Sequence, residues 1–200
     1  MNVTVFGATG AIGSLTVTVL LEHGHQVTAY ARNPDKVPGS WGERVRVVVG
    51  EMSDQDAVDS AVAGADAVVS ALGPSMDRKA TGLPLVAGTG HILTSMKRHH
   101  VRAREAHPGH PPHRLHATHV HAPRLRRDHR HERPGHALGP GLDRRALHRS
   151  QDTPKQNRVR VGFFGTDKLG FAVSRADIAA FTAAQVDDDT YVGRAPAISN

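Results

Sequence analysis

Residues 3–13 constrain the fold of this chain more than any other stretch. The apolar run at residues 3–6 predicts a short β-strand, and glycines follow it at Gly7, Gly10 and Gly13. Gly7 allows a sharp turn off the strand, Gly10 removes a Cβ where a pyrophosphate approaches the backbone, and Gly13 lets the next helix pack close to the strand. The pattern predicts a strand, a glycine turn and a helix in direct succession.

A helix that opens just after this turn would point its free N–H groups at an anion placed there. The helix dipole adds a partial positive charge at the same position. We therefore predict a phosphate-binding turn in which all seven residues contribute to cofactor binding. They are Gly7, Ala8, Thr9, Gly10, Ala11, Ile12 and Gly13.

The rest of the first hundred residues alternates between strand and helix patterns. Strands are predicted over residues 2–6, 26–31, 44–49 and 65–72, and helices over residues 11–22, 54–63 and 83–99. This alternation predicts an α/β fold, a doubly wound parallel sheet in a single domain over residues 1–200. After residue 150, the pattern predicts a strand or hairpin arm over residues 158–164, a helix up to residue 186 and a last strand over residues 191–198.

Three finer expectations concern side chains. The first helix is expected to face the core with Ile12, Leu15, Val19 and Leu20. Ser53 and Ser174 are expected to cap the helices that follow them. The valine-rich third strand is expected to be buried on both faces, as in the interior of a parallel sheet.

The segments that end the next three strands lie at the same edge of the predicted sheet as the glycine turn. Arg32 follows the second strand, where an NAD-binding protein would carry an acidic residue for the ribose. Its guanidinium can pair bidentately with a 2′-phosphate, which favours NADPH over NADH; the alternative is a solvated surface arginine. The loops after strands three and four are placed to flank an adenine and a ribose, or are ordinary loop sequence. Their residues are Glu51, Met52, Ala71, Leu72 and Gly73.

Four segments of this half resemble the atypical short-chain dehydrogenase/reductases. They are GATGAIG at 7–13, ARNPDK at 31–36, VVGEMSD at 48–54 and AVVSALG at 67–73, and residues 173–181 and 188–200 are similar as well. The nearest resemblance is to the NAD(P)H-binding group of NmrA-like proteins, NADPH-dependent flavin reductases and biliverdin reductases of the B type. The resemblance implies a Rossmann-like fold and hydride transfer from NADPH to a flavin, tetrapyrrole or quinone-like acceptor. Some members of this group only bind the dinucleotide, as sensors.

Residues 101–150 do not resemble that group. They contain 10 His, 11 Arg and 6 Pro, but no Ile, Phe, Tyr, Trp or Met. An interior strand of a parallel sheet needs an apolar run, so we predict an irregular His/Arg/Pro-rich segment where strands five and six belong. We interpret this segment as the translation of a shifted reading frame, with joins near residues 101–104 and 149–153; the alternative is a genuine His/Arg-rich insertion. One choice of codons for residues 140–150, read one base later, gives LDWTVVRFIAP, which reads as an apolar strand.

This segment also holds the excess positive charge. It has 11 basic and 4 acidic residues, against 14 basic and 15 acidic residues in the rest of the chain. Its histidines recur every three or four residues over 107–119, but Pro108, Pro111 and Pro112 would break a helix that aligned them. No aromatic side chain is interleaved to stack on bases. We therefore predict neither a metal site nor a nucleic-acid interface.

The remaining expectations concern chemistry and location. The chain has no cysteine, which excludes disulfides and thiol chemistry. No membrane segment and no secretory signal are expected, so the predicted location is the cytoplasm. We expect an NADPH-dependent oxidoreductase, monomeric or dimeric, with a small-molecule acceptor; the alternatives are an NmrA-like regulator without turnover and an inactive product. No catalytic residue is predicted, because neither Tyr30 nor Tyr191 has a lysine four residues later.

Overall fold

A five-stranded parallel sheet forms the centre of the structure. The computed structural model describes residues 1–73, 84–101, 114–116, 149–163, 166–170, 172–192, 194 and 196–200. The strands of the sheet are β1 (Asn2–Phe6), β2 (Gln26–Ala31), β3 (Val45–Val49), β4 (Ala67–Ser70) and β5 (Arg114–His116). The helices are α1 (Gly13–Glu22), α2 (Gln55–Val62), α3 (Pro84–Arg98) and α4 (Arg175–Ala184). The strand order β3-β2-β1-β4-β5 reverses direction at β1, as in the predicted doubly wound α/β fold.

Both faces of the sheet are covered, as the apolar sequence of β1 requires. On one face, Val17 of α1 and Ala183 of α4 belong to the core that lies against the sheet. On the other face, Val58 of α2 and Met96 of α3 pack in a second core with Phe6. Each of these five side chains is at most 2% exposed. β1 is therefore buried on both sides, and its carboxyl end is held at a fixed place between two helical layers.

A glycine follows the C-cap residue of α1, His23. Gly24 is in the left-handed conformation, with φ of +81°. Its N–H donates to the Leu21 carbonyl, and the N–H of His25 donates to the Leu20 carbonyl. These two bonds form a Schellman motif, which satisfies the last carbonyls of the helix and turns the chain into β2.

The predicted inner face of α1 is wrong at three of its four residues, and Leu20 is buried as predicted. Leu15 is 38% exposed, and Ile12 and Val19 are only partly buried. The buried residues follow the i, i+3, i+4, i+7 spacing from the glycine turn and are Gly13, Thr16, Val17 and Leu20. Apolar residues occur on more than one side of this helix, so the contact of Gly13 with the turn decides which side faces the sheet.

β3 is also less buried than predicted. Val47 is 37% exposed and Val49 is 50% exposed, although Val45 is buried. β3 is the outermost strand on its side of the described sheet, where the helices that cover β1 leave its side chains accessible. An apolar run alone does not distinguish an edge strand from a central one.

A polar cluster joins α2 to α3. Gln55 Nε2 donates to Ser95 Oγ at 2.7 Å, and the Ser95 hydroxyl donates to the carboxylate of Asp59. Arg98 forms an ion pair with the same carboxylate. Ser95 is fully buried. The predicted cap of α2 is wrong by one residue: Asp54 Oδ1, not Ser53, accepts the N–H of Ala57, at 3.0 Å.

The strands after residue 148 are short. β6 (Arg149–Gln151) pairs in parallel with β8 (Ala172–Ser174), and β7 (Arg160–Gly162) pairs antiparallel with β9 (Ala197–Ser199). The last strand therefore starts six residues later than the sequence predicts, and α4 ends at Ala184 rather than residue 186. None of the described helices is long and apolar enough to cross a membrane.

β5 corrects one expectation for the His/Arg/Pro-rich segment. It pairs in parallel with β4, with Arg114 opposite Ala67 and His116 opposite Val69. The prediction that this segment supplies no strand is therefore wrong at residues 114–116 and at its end, where β6 begins with Arg149. β5 is the outermost strand of the described sheet, and pairing there uses backbone groups that every residue carries. Residues 102–113 and 117–148, with most of the predicted irregular segment, lie outside the described residues.

Candidate functional site

The glycine turn between β1 and α1 is held by close backbone contacts. These contacts leave no room for a side chain at Gly7 or Gly13. Gly7 has a φ of +74°, and its carbonyl accepts the N–H of Gly10 at 3.0 Å. A Cβ on Gly13 would lie 2.1 Å from the Gly7 carbonyl oxygen. A Cβ on Gly7 would lie 2.8 Å from the carbonyl oxygen of Ala71, which follows β4. Glycine is therefore required at both positions.

The start of α1 presents donors for an anion. Ile12 is the N-cap and makes no side-chain hydrogen bond to the helix, and the first turn has no acidic residue. Within the described part of the chain, the N–H groups of Ala11 and Ile12 have no acceptor. Phosphate oxygens are suited to such a helix end, because they accept hydrogen bonds and carry negative charge.

A cleft of about 750 Å³ opens beside this turn, at the carboxyl ends of β1 to β4. Nine of the residues that the sequence assigns to cofactor binding line it: Gly7, Thr9, Gly10, Arg32, Glu51, Met52, Ala71, Leu72 and Gly73. The other four do not line it. Ala8 is fully buried, and Ala11, Ile12 and Gly13 lead into α1. The sheet edge thus brings together four loops that are far apart in sequence, and the contact of each residue with a cofactor stays a prediction.

Two cations lie at the β2 end of the cleft. Asn33 Oδ1 accepts the N–H of Asp35 at 2.9 Å and begins a 3₁₀ turn over Pro34–Lys36. This turn brings Lys36 into the cleft lining together with Arg32. Both side chains are exposed, and no acidic residue in the described ranges pairs with either. Lys36 is not among the residues predicted from the sequence, although the Asn-Pro pair before it is the signal for a turn that reverses the chain.

Tyr30 supports the loop after β3 from below. It is 4% exposed, and its hydroxyl donates to the Glu51 carbonyl at 2.8 Å. Burial raises the pKa of Tyr30 to about 12, and the negative charges of Asp54 and Glu51 add to the increase. The phenol therefore stays protonated and positions the Glu51 backbone, which no local sequence pattern indicates.

His91 of α3 approaches the same loop from the opposite side. Its Nδ1 lies 2.6 Å from the carbonyl oxygen of Met52. Because a carbonyl only accepts, Nδ1 carries the hydrogen, and Nε2 of the neutral ring is an acceptor. Ala87, Gly88 and His91 line the cleft at helical spacing. The sequence shows that spacing, but it does not show which side of α3 faces the cleft.

Asp177 lies in the SRAD segment (residues 174–177) at the start of α4, and its buried carboxylate holds neighbouring segments together by hydrogen bonds. It is 1% exposed, and Ser174 Oγ donates to its carboxylate at 2.6 Å. The N–H groups of Gln156 and Asn157 and the amide of Asn200 also donate to it. Burial by itself would raise the pKa of Asp177, but these four hydrogen bonds outweigh it and lower the pKa. As predicted, Ser174 caps α4, since its hydroxyl accepts the N–H of Asp177.

The fold and the cleft define a Rossmann-like dinucleotide-binding domain. Residues 7–103 match a family model described as NAD(P)H-binding. The match ends where the His/Arg/Pro-rich composition begins. A Rossmann-fold NAD(P)-binding family protein from Shigella flexneri has the same fold, with a TM-score of 0.65 and 18% identity over 100% of this chain and 93% of its own.

Sequence relatives match shorter stretches. A 3-beta-hydroxysteroid dehydrogenase from Mycolicibacterium neoaurum is 38% identical over 67 residues, 34% of this chain and 18% of that protein. A 3-diazoavenalumate denitrifying reductase from a Streptomyces species is 45% identical over 65 residues, 32% of this chain and 20% of that protein. The chain thus spans about a fifth of the length of either relative.

Proposed function

We propose that this chain binds NADPH in the cleft and transfers hydride to a planar acceptor such as a flavin, a tetrapyrrole or a quinone. The glycine turn carries the proposal. It excludes a Cβ at Gly7 and Gly13, presents amide donors at the start of α1, and lines a cleft at the switch in strand order. A bound reduced nicotinamide supplies the hydride.

Two basic side chains support NADPH over NADH. The two dinucleotides differ in the 2′-phosphate of the adenosine ribose, which NADH lacks. Arg32 and Lys36 line the cleft together at the end of β2, where that ribose is bound in the fold. A bidentate guanidinium and an ammonium group suit a phosphate dianion, and a ribose diol would leave both charges without a partner.

Support for reduction comes from the names of the relatives and from the resemblance at residues 7–13 and 67–73. One relative is named as a dehydrogenase and the other as a reductase. The acceptor class rests on the resemblance to flavin and biliverdin reductases. In that group, the residues that hold the acceptor follow strands five and six, which here fall mainly outside the described residues.

A second candidate function is dinucleotide binding without turnover. The described cleft lining contains one tyrosine, Tyr30, and one histidine, His91. Each forms a hydrogen bond with a backbone carbonyl of the loop at residues 51–52. Both rings thus support a loop rather than face a reacting atom. That observation favours a regulator that senses the dinucleotide, and a reductase would obtain its acceptor contacts from other residues.

One assay separates these functions. NADPH is titrated calorimetrically, and its oxidation is then followed by absorbance with FMN, FAD or a soluble quinone. Binding with oxidation supports the reductase, and binding without oxidation by any acceptor supports the regulator. Absence of NADPH binding together with a cooperative thermal transition contradicts both. Absence of any cooperative transition supports the inactive product instead.

A further inference from the structure

We propose that His23, His25 and Asp187 form a binding site for a divalent transition-metal ion of the zinc class. The site lies at the amino end of β2, on the edge of the sheet opposite the dinucleotide cleft. His23 and His25 flank the turn between α1 and β2, and Asp187 follows α4. The proposal concerns a second site, and it is independent of the function proposed for the cleft.

The distances between the three side chains suit a single ion. One ligand atom from each residue lies within 4.8 Å of the other two. His25 Nε2 and Asp187 Oδ2 are 3.1 Å apart, although 162 positions separate them in the chain. In a tetrahedral zinc site, bonds of about 2.0–2.2 Å place neighbouring ligand atoms about 3.3 Å apart. One pair already has that spacing, and His23 must approach by a shift that a side-chain rotation can supply.

The local backbone fixes the two imidazoles on one side of the turn. Gly24, with φ of +81°, closes the Schellman motif between them. The ring centroids of His23 and His25 are 6.3 Å apart. His25 is 8% exposed and held in place, whereas His23 is exposed and the Asp187 side chain is 51% exposed. His25 is thus a fixed ligand, and the side chains of His23 and Asp187 can adjust. An ion could therefore bind all three without a movement of the backbone.

The donor set selects the class of ion. Two imidazole nitrogens and one carboxylate suit Zn²⁺, Co²⁺ or Ni²⁺, with water in the remaining positions. Mg²⁺ and Ca²⁺ prefer sites made of oxygen ligands. A bound ion would connect the α1–β2 turn to the end of α4. That link would hold the C-terminal helix on the face of the sheet where it packs against α1.

The test is the change in Tm of the full chain on addition of ZnCl₂, compared between the native protein and two variants. At a hundredfold excess over Kd, we expect the Tm of the native protein to rise by roughly 5 °C more than that of His23→Asn. His100→Asn is the matched control. His100 is also exposed and has a φ of 57°, which asparagine tolerates, and this variant should keep the native response. The histidines of residues 101–150 are present in all three proteins, so their binding cancels in the comparison.

A second measurement assigns the ligands directly. Addition of ZnCl₂ should shift the imidazole ¹H–¹⁵N resonances of His23 and His25, and Asp187→Asn should weaken that response at least tenfold, whereas MgCl₂ should produce no shift. An equal Tm response in the native protein, His23→Asn and His100→Asn would overturn the proposal. Unchanged His23 and His25 resonances in saturating ZnCl₂ would overturn it as well.

Discussion

The two ends of the chain build structure in different ways. In residues 1–73, strands of four to six residues are buried by apolar side chains, and β1 lies between two helical layers. In the described part of residues 149–200, each strand has three residues and belongs to a two-stranded pair. There, a buried carboxylate, Asp177, connects residues 156, 157, 174 and 200 through its hydrogen bonds.

This difference separates the dinucleotide cleft from the C-terminal strands. Most of the cleft lining comes from the first region and depends on backbone geometry that a short sequence specifies. The second region is attached to it chiefly through α4, which packs on α1. The dinucleotide site is therefore expected to survive changes in residues 149–200 that destabilise the C-terminal strands.

Gly13→Ala should abolish NADPH binding and destabilise the fold by about 4 kcal/mol, because the new Cβ would meet the Gly7 carbonyl at 2.1 Å. That neighbour is backbone and cannot rotate away. The measurements are denaturant unfolding and NADPH titration. Gly90→Ala, in α3 with open space around its Cβ, is the control and should stabilise by about 0.5–1 kcal/mol with unchanged binding. Equal effects of the two substitutions would contradict the assigned packing of the turn.

Asp177→Asn should cost about 3 kcal/mol of stability, since an amide cannot accept all four of the hydrogen bonds made to the carboxylate. NADPH affinity should change little once the variant is folded. Asp152→Asn is the control, because the Asp152 side chain is 79% exposed in its pair with Arg175; it should cost less than about 0.5 kcal/mol. A loss of NADPH binding in folded Asp177→Asn would show that the two regions are not separable.

The pH dependence of stability follows from the lowered pKa of Asp177. In the unfolded chain this carboxyl has a pKa of about 3.9. Its contribution to stability is therefore complete above that pH and is lost as the pH falls towards the lower pKa of the folded state. Asp177→Asn should show a weaker decline in this acid range, as measured by denaturant unfolding at a series of pH values.

The contrast between the regions also explains what the sequence could predict. Local sequence patterns predicted the bounds of β1 and β2 and the glycine turn. Buried strands require apolar residues there, and the tight turn requires glycine where a Cβ would clash. Local patterns did not predict the inner face of α1 or the exposure of Val47 and Val49, because these features depend on which helices and strands pack against α1 and β3. Lys36 and His91 also line the cleft. A local turn places Lys36 there, and the packing of α3 places His91 there, next to residues that are distant in sequence.

Arg32→Ser should weaken NADPH binding roughly 30-fold and leave NADH binding nearly unchanged, because it removes a charge-assisted contact to the 2′-phosphate. Lys36→Ser should have the same selectivity with a smaller effect, since an ammonium group pairs with phosphate as a point charge. Lys97→Ser, an exposed cation in the last turn of α3, is the control and should bind both dinucleotides as before. An equal loss for NADH would contradict the assignment of Arg32 to the 2′-phosphate.

Tyr30→Phe should have the smallest effect, about 1 kcal/mol, because it removes the hydrogen bond to the Glu51 carbonyl and keeps the ring contact with Phe6. The pH dependence gives a sharper measurement. The pKa of Tyr30 is raised to about 12, above the value of about 10 in an unfolded chain. Its contribution to stability is complete below pH 10 and is lost as the pH rises towards 12, because the unfolded chain releases this proton first. Ultraviolet titration should show a phenol that ionises near pH 12 in the native protein and is missing in Tyr30→Phe. If the native protein lacked that late step, Tyr30 would not be buried beneath the loop that borders the dinucleotide cleft.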